Sequence, residues 1–344
     1  YYYYKDFVVG KQNKPFYPGD ITIAQWIGKF KPERINVIPL FEDKEHMFEA
    51  HTILEKYLRD KDIKHQRVFI ARSDPAMNYG MISAILCNKI ALQRLQRLSE
   101  KIGVETYPIL GVGSAPFRGH LAPDNVARVL NEYPDVQTFT VQSAFKYDNP
   151  AASIISGIRK LKESSRKKGK DIDETRCIRI ADKMSREYRR SVKFLAPLMN
   201  YMAGFVPRRR MRKLHVGLFG YSRSVGKVRL PRVISFCAAG YSVGLPPEII
   251  GLNALTKDDI AYLREVYVNF DFDISTAMAF FNRNVLSIVP KEARSSLKLD
   301  LCNYSANEDH GVITSRIIKA VKDKNEKHIQ GMLIEAAHIR RFLG

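Results

Sequence analysis

The chain has 344 residues, of which 45% are hydrophobic and 27% charged, with 56 Lys+Arg against 36 Asp+Glu. That is the composition of a folded protein, far from the low-hydrophobicity signature of disorder, and no apolar run approaches the ~20 residues needed to cross a bilayer. The opening YYYYKDF lacks the basic and apolar regions of a signal peptide, so a cytoplasmic protein is expected.

A formal charge of +20 suits phosphate neutralisation and keeps a basic nucleic-acid-binding protein open as a rival of another class. The cations are dispersed, however, over Arg94, Arg97 and Lys101, over Arg166, Lys167, Lys168 and Lys170, and over Arg208, Arg209, Arg210, Arg212 and Lys213. No recognisable nucleic-acid motif accompanies them, and the expectation is no nucleic acid and no membrane. An excess of cations suits anionic small molecules equally well. Cys87, Cys177, Cys237 and Cys302 stand far apart with no CxxC pair, which predicts buried free thiols.

After an N-terminal segment, 1–33, a strand-helix rhythm begins. RINVIPLF (34–41) reads as a strand, and residues 42–60 carry a helical apolar stripe at Met47, Ala50, Ile53, Leu54 and Leu58. RVFIAR (67–72) leads into a helix over 81–102 that Gly103 should end. VETYPILG (104–111) precedes a glycine-rich loop and a helix starting near Pro123, and VQTFTVQ (136–142) precedes a helix after Pro150. Strand centres near Val37, Phe69, Tyr107 and Phe139 have the spacing of β/α crossovers, which predicts parallel strands. A doubly wound sheet and a (β/α)8 barrel both fit; polar residues after all four strands favour the barrel. SSRKKGKD (164–171) reads as an exposed, mobile connection, 173–205 as a long helix, the first half of 212–227 as a further strand, 256–270 as a helix, and 307–341 as a helical tail.

The chemistry gathers just after the strands. Glu42 and Asp74 follow the first two, and one or two carboxylates with substrate and water are how Mg2+ is held; a cap on the next helix is the plain alternative for Glu42. GVGSAPFRGHLAP (111–123) combines Gly113 and Ser114 with Arg118, a pattern for an oxyanion site or for a simple connecting loop. His120 reads as structural. Gln142 follows the fourth strand, Lys146 could add charge there, and Arg72 precedes Asp74.

In this order, IPLFED, ARSDPAMNYG, GVGSAPFRGHLAP, TVQSAFKYD, LHVGLFGYSR, LPRVISFCAAGYSVGLPPEIIG and RRFLG resemble the archaeal-type phosphoenolpyruvate carboxylases. The resemblance implies a (β/α)8 barrel over 34–344, here incomplete, enlarged by C-terminal helices. It implies carboxylation of phosphoenolpyruvate by bicarbonate to oxaloacetate and phosphate, dependent on Mg2+ with Mn2+ possible, in a cytoplasmic homotetramer. By the same resemblance Glu42 and Asp74 are metal ligands and Arg118 and Gln142 catalytic. From their places after the strands Arg72, Gly113 and Ser114 are expected to bind substrate; the resemblance implies the same for Arg189, implies that Arg223 and Arg232 meet substrate or an effector, and packs the terminal glycine near the site.

Met77 and Val112 stand where bacterial and plant relatives carry Lys and Arg, as archaeal-type sequences do. None of the eight histidines lies in the family's TQHPD-like motif. The chain is therefore expected to be the C-terminal two-thirds of an enzyme, without full activity alone. Another barrel lyase or aldolase of phosphoenolpyruvate or pyruvate is the nearest alternative.

Overall fold

The computed structural model describes residues 1–207, 224–225, 228–297 and 304–344. It divides into two compact units, 1–39 and 40–344, a boundary somewhat later than the expected 33/34. The first unit holds a wide helical segment, Tyr3–Val9, and a short helix α1 (Ile23–Ile27). Thr22 and Gln25 close a capping box at the start of α1, each side chain accepting the other's backbone N–H at 3.2 and 2.8 Å.

The second unit begins with a four-stranded parallel sheet in chain order: β1 (Leu40–Phe41), β2 (His65–Ala71), β3 (Glu105–Gly111) and β4 (Thr138–Phe139). β2 and β3 pair along their full length, from His65↔Glu105 to Ala71↔Gly111. β1 and β4 are shorter than the sequence predicts. Each has one neighbour and pairs only near the C-terminal ends of β2 and β3, through Leu40↔Phe69 and Phe41↔Ile70 and through Ile109↔Thr138 and Leu110↔Phe139. Order is thus concentrated at the end of the sheet from which the chemically capable loops leave.

Helix α2 (Lys44–Leu58) buries Met47, Ala50, Leu54 and Leu58, four residues of its expected stripe. A short helix α3 (Ser73–Tyr79), not expected from the sequence, separates β2 from α4 (Met81–Ile102). Gly80 makes the corner at φ +86°, where a Cβ would lie 3.1 Å from the Tyr188 ring. Gly103 ends α4 at φ +69°, the left-handed conformation that glycine adopts without strain.

α4 is buried on both sides. Cys87, Ala91, Leu92, Leu95 and Leu98 join a core with the sheet and α2, whereas Ile82, Ile85, Leu86 and Ile90 join a larger helical core. α5 (Val126–Glu132) begins later than Pro123, because Ala122 to Asn125 form a turn first. α6 (Ala151–Glu163) follows β4, and α7 (Glu174–Ala203) is capped by Asp173, whose side chain accepts the Arg176 N–H at 3.0 Å.

The basic connection between α6 and α7 is pinned rather than loose. Arg166 donates to the Thr106 carbonyl and pairs with Glu105, the Lys167 N–H reaches the Pro134 carbonyl at 2.7 Å, and Lys168 pairs with Glu100. Arg94 and Arg97 both pair with Glu174, and Lys101 with Glu55, so these dispersed cations serve tertiary contacts. The cluster at 208–213, the strand expected in 212–227 and Cys302 lie outside the described residues or largely so; Cys87, Cys177 and Cys237 are buried free thiols.

A small antiparallel pair, β5 (Ser224–Val225) and β6 (Val228–Arg229), precedes α8 (Val233–Ser242). Among the described residues the α-helices that follow are α9 (Lys257–Val266), α10 (Phe270–Met278), α11 (Lys291–Arg294), α12 (Glu308–Lys322) and α13 (Ile329–Arg340). The tail is thus two helices where one helical stretch was read. Among the described residues no helix is long and apolar enough to cross a membrane.

Candidate active site at the strand ends

Glu42 leaves β1 directly and is half-buried. It does not cap the next helix. Asp43 does, its carboxylate accepting the His46 N–H at 2.9 Å, and Lys44 ties the same turn to α7 through Asp182 at 2.7 Å. The residues after Glu42 thus fix its backbone from two directions. Asp74 sits in the first turn of α3, just beyond β2, and is also half-buried. Both carboxylates leave adjacent parallel strands at the same end of the sheet. Among the described residues no group of three or more His, Cys, Asp or Glu side chains could share an ion. Two hard oxygen donors with substrate and water suit Mg2+ better than softer metals.

The third loop is built around Arg118. Residues Pro116–Arg118 form a single 3-10 turn closed by Gly119 at φ +104°. The turn is drawn back onto the strand end by the Gly113 N–H to the Arg118 carbonyl and the Leu121 N–H to the Gly113 carbonyl, both at 2.8 Å. The guanidinium, with the residue only 3% exposed, folds over Gly113, where a Cβ would lie 2.6 Å from the Arg118 Cζ. Nη2 donates to Gln142 Oε1, and Nη1 to the backbone oxygen of Gly344 at 2.7 Å. Gln142 is carried in from β4 by Thr140, whose hydroxyl accepts the Val112 N–H at 3.0 Å. Gly344 is tucked so closely under α8 that a Cβ would meet the Ile234 carbonyl at 2.2 Å. Gly113, Arg118 and Gln142 are therefore one contact group, and Gly344 joins it.

The other expected residues are placed differently. Ser114 is buried in the same loop. Arg72 is 1% exposed, and its Nη1 donates to the Phe117 carbonyl at 3.0 Å, so it supports the Arg118 turn from beneath. Arg189 is exposed on α7; its charge reaches the Tyr79 phenol, which burial raises above its ordinary value. Arg232 is exposed at the start of α8, two residues before Ile234, whose carbonyl lies against Gly344. Arg223 lies outside the described residues. His120 is structural: it is buried, stacks on Phe272 and bonds Asp273 at 3.1 Å. Lys146 is exposed and lies over the Tyr147 ring.

Sequence reasoning missed one residue at this site. Glu248, 2% exposed, accepts the Phe117 N–H at 2.8 Å. Its only signal was a single acid inside the apolar run GYSVGLPPEIIGL.

Residues 1–344 match the family model described as phosphoenolpyruvate carboxylase. A phosphoenolpyruvate carboxylase of Methanospirillum hungatei is 49% identical over 344 residues, which is 100% of this chain and 71% of that protein. One of Methanothermobacter thermautotrophicus is 48% identical over 342 residues, 99% of this chain and 70% of the relative. One of Pyrococcus furiosus is 46% identical over 287 residues, 83% of this chain and 60% of the relative. The chain belongs to the phosphoenolpyruvate carboxylase family.

Proposed function

We propose that this chain's strand ends carry out the carboxylation of phosphoenolpyruvate by bicarbonate, yielding oxaloacetate and phosphate. The observation that carries the reading is the Arg118–Gln142 hydrogen bond between the loops after β3 and β4, at the same end of the sheet as Glu42 and Asp74. Glu42 and Asp74 would hold Mg2+, or Mn2+, which when bound neutralises charge on phosphate and enolate oxygens.

Attack of bicarbonate on the phosphoryl group and departure of the enolate both place negative charge on oxygen. Arg118 supplies a fixed cation for that charge. Its guanidinium is held over Gly113 and by the oxygens of Gln142 and Gly344, so little reorganisation is needed as charge develops. The Gln142 carboxamide is oriented by giving its oxygen to Arg118, which leaves its NH2 group to orient the carboxyl group being transferred. Ser114 and the loop amides shape the anion pocket, with Arg189 and Arg232 as outer cations.

The finer architecture belongs to the same proposal. A sheet whose strands follow chain order without reversal accords with a (β/α)8 barrel better than with a doubly wound sheet, whose order reverses at a switch point. The homotetramer and the cytoplasmic location follow from the family resemblance.

The test is turnover by the intact protein: oxaloacetate and inorganic phosphate should form in equal amounts, only with bicarbonate and a divalent metal present. Turnover of phosphoenolpyruvate without bicarbonate would point to the lyase or aldolase alternative.

A further inference from the structure

We propose that Glu248 is a positioning residue for Arg118, its buried carboxylate fixing, through Phe117, the turn that carries the guanidinium. The inference rests on the reading of Arg118 given above and deepens it.

Glu248 lies in the one-turn helix Pro247–Ile249 beyond α8. One carboxyl oxygen, Oε1, accepts both the Phe117 N–H and the Tyr241 hydroxyl, each at 2.8 Å. On the other side of the same residue Arg72 donates to the Phe117 carbonyl at 3.0 Å. A buried carboxyl group and a buried guanidinium therefore grip the two backbone polar groups of the residue before Arg118. The Phe117 ring is fully buried and packs against Tyr188 and Phe236, with centroids 6.3 and 6.1 Å away. The Arg118 N–H then closes the turn on the Ala115 carbonyl at 2.9 Å. With Phe117 fixed at its N–H, its carbonyl and its ring, the position of Arg118 follows.

A carboxyl group is a poor choice for stability alone at such a place. Burial pushes Glu248 up to about 7, and Oε2 has no hydrogen-bond partner among the described residues. Replacing buried charge by packed apolar groups is often neutral or stabilising. Above about pH 7, however, the ionised carboxylate makes a stronger acceptor than a neutral group for a backbone N–H. That strength is spent on the turn of Arg118.

Three variants of the intact protein test this. Glu248→Leu removes the acceptor, Glu248→Gln keeps a neutral one, and Asp259→Asn alters a buried carboxylate in the capping box of α9, away from the turn. Amide exchange over residues 113–119 and kcat per folded molecule are measured above neutral pH. Glu248→Leu should speed exchange of that segment at least ~10-fold and lower kcat ~10-fold or more, with KM changed less, because displacement of a catalytic group costs this much. Glu248→Gln should recover most of both.

Wild-type exchange and kcat in Glu248→Leu would overturn the proposal. So would the same losses in Asp259→Asn at an equal melting temperature, which would make them general destabilisation. If the wild type itself fails to convert phosphoenolpyruvate with bicarbonate, the functional reading falls. Exchange in the two Glu248 variants then still decides whether this carboxylate holds the turn.

Discussion

Replacing Gly113 by alanine should separate activity from stability. An added Cβ would lie 2.6 Å from the Arg118 Cζ, 2.7 Å from Nη2 and 2.9 Å from Nη1, where ordinary contact begins at 3.4 Å. Restoring that contact displaces the guanidinium by about 1 Å, and misplacing a catalytic group by this distance costs on the order of 10²-fold in rate. The Arg118–Gln142 and Arg118–Gly344 hydrogen bonds lengthen by the same motion. Stability should change little. The obstructing atoms are the end of a flexible side chain, and Gly113 is not in the left-handed region. The about 0.4–1 kcal/mol that a Gly→Ala change gains through the unfolded chain offsets part of what the lengthened hydrogen bonds of the buried guanidinium lose. Steady-state kinetics with phosphoenolpyruvate and bicarbonate, alongside thermal unfolding, should therefore give kcat/KM down ~100-fold with only a small fall in Tm. A Gly113→Ala enzyme with wild-type kcat/KM would refute the placement of Arg118.

Other outcomes follow from the same structure. Glu42→Gln or Asp74→Asn should raise the Mg2+ concentration for half-maximal activity by at least ~10-fold, each removing one of the two anionic oxygen ligands proposed above; titration with Mg2+ checks it. Buried His310, beside Arg340, is held down to about 3 by burial, then by that cation. The unfolded chain therefore binds more protons between about 6.5 and 3, and stability rises with pH across that window by up to about 1.4 kcal/mol per pH unit. Denaturant unfolding should show this slope in the wild type and a flatter one in His310→Gln. Arg166→Ala should make the 164–171 connection more sensitive to limited proteolysis while leaving kcat within ~2-fold, because it loses contacts to Thr106 and Glu105 remote from Arg118.

Local signals were legible where they agreed with packing. The expected 81–102 helix has those bounds because α4 starts after one special glycine, Gly80, and stops at another, Gly103, while its apolar residues face two cores. β2 and β3 were readable as apolar runs. β1 and β4 were read too long: apolar residues such as Ile38 and Val141 are exposed and lie outside the strands found among the described residues. α3 was hidden by its shortness and by Pro75 near its start. The 164–171 connection looked loose because its composition is polar, yet its bonds go to Thr106, Glu105, Pro134 and Glu100, distant in sequence.

The placement of the candidate residues was legible: Glu42, Asp74, Arg118 and Gln142 all follow strands at the same end of the sheet. Which groups touch was not. Arg72 was read as a substrate ligand; its contact with Phe117, 45 residues away, had no signal in the sequence. Glu248 is 131 residues from its partner Phe117, a separation that no local pattern spans.

The most direct test of the account is anomalous diffraction from crystals of the intact protein grown with Mn2+ and a non-reactive phosphoenolpyruvate analogue. One Mn2+ peak should be held by the carboxylates of Glu42 and Asp74, with the analogue beside it and Arg118 facing the analogue's phosphate. A Mn2+ peak held by other side chains, or an analogue bound away from Arg118 and Gln142, would contradict it.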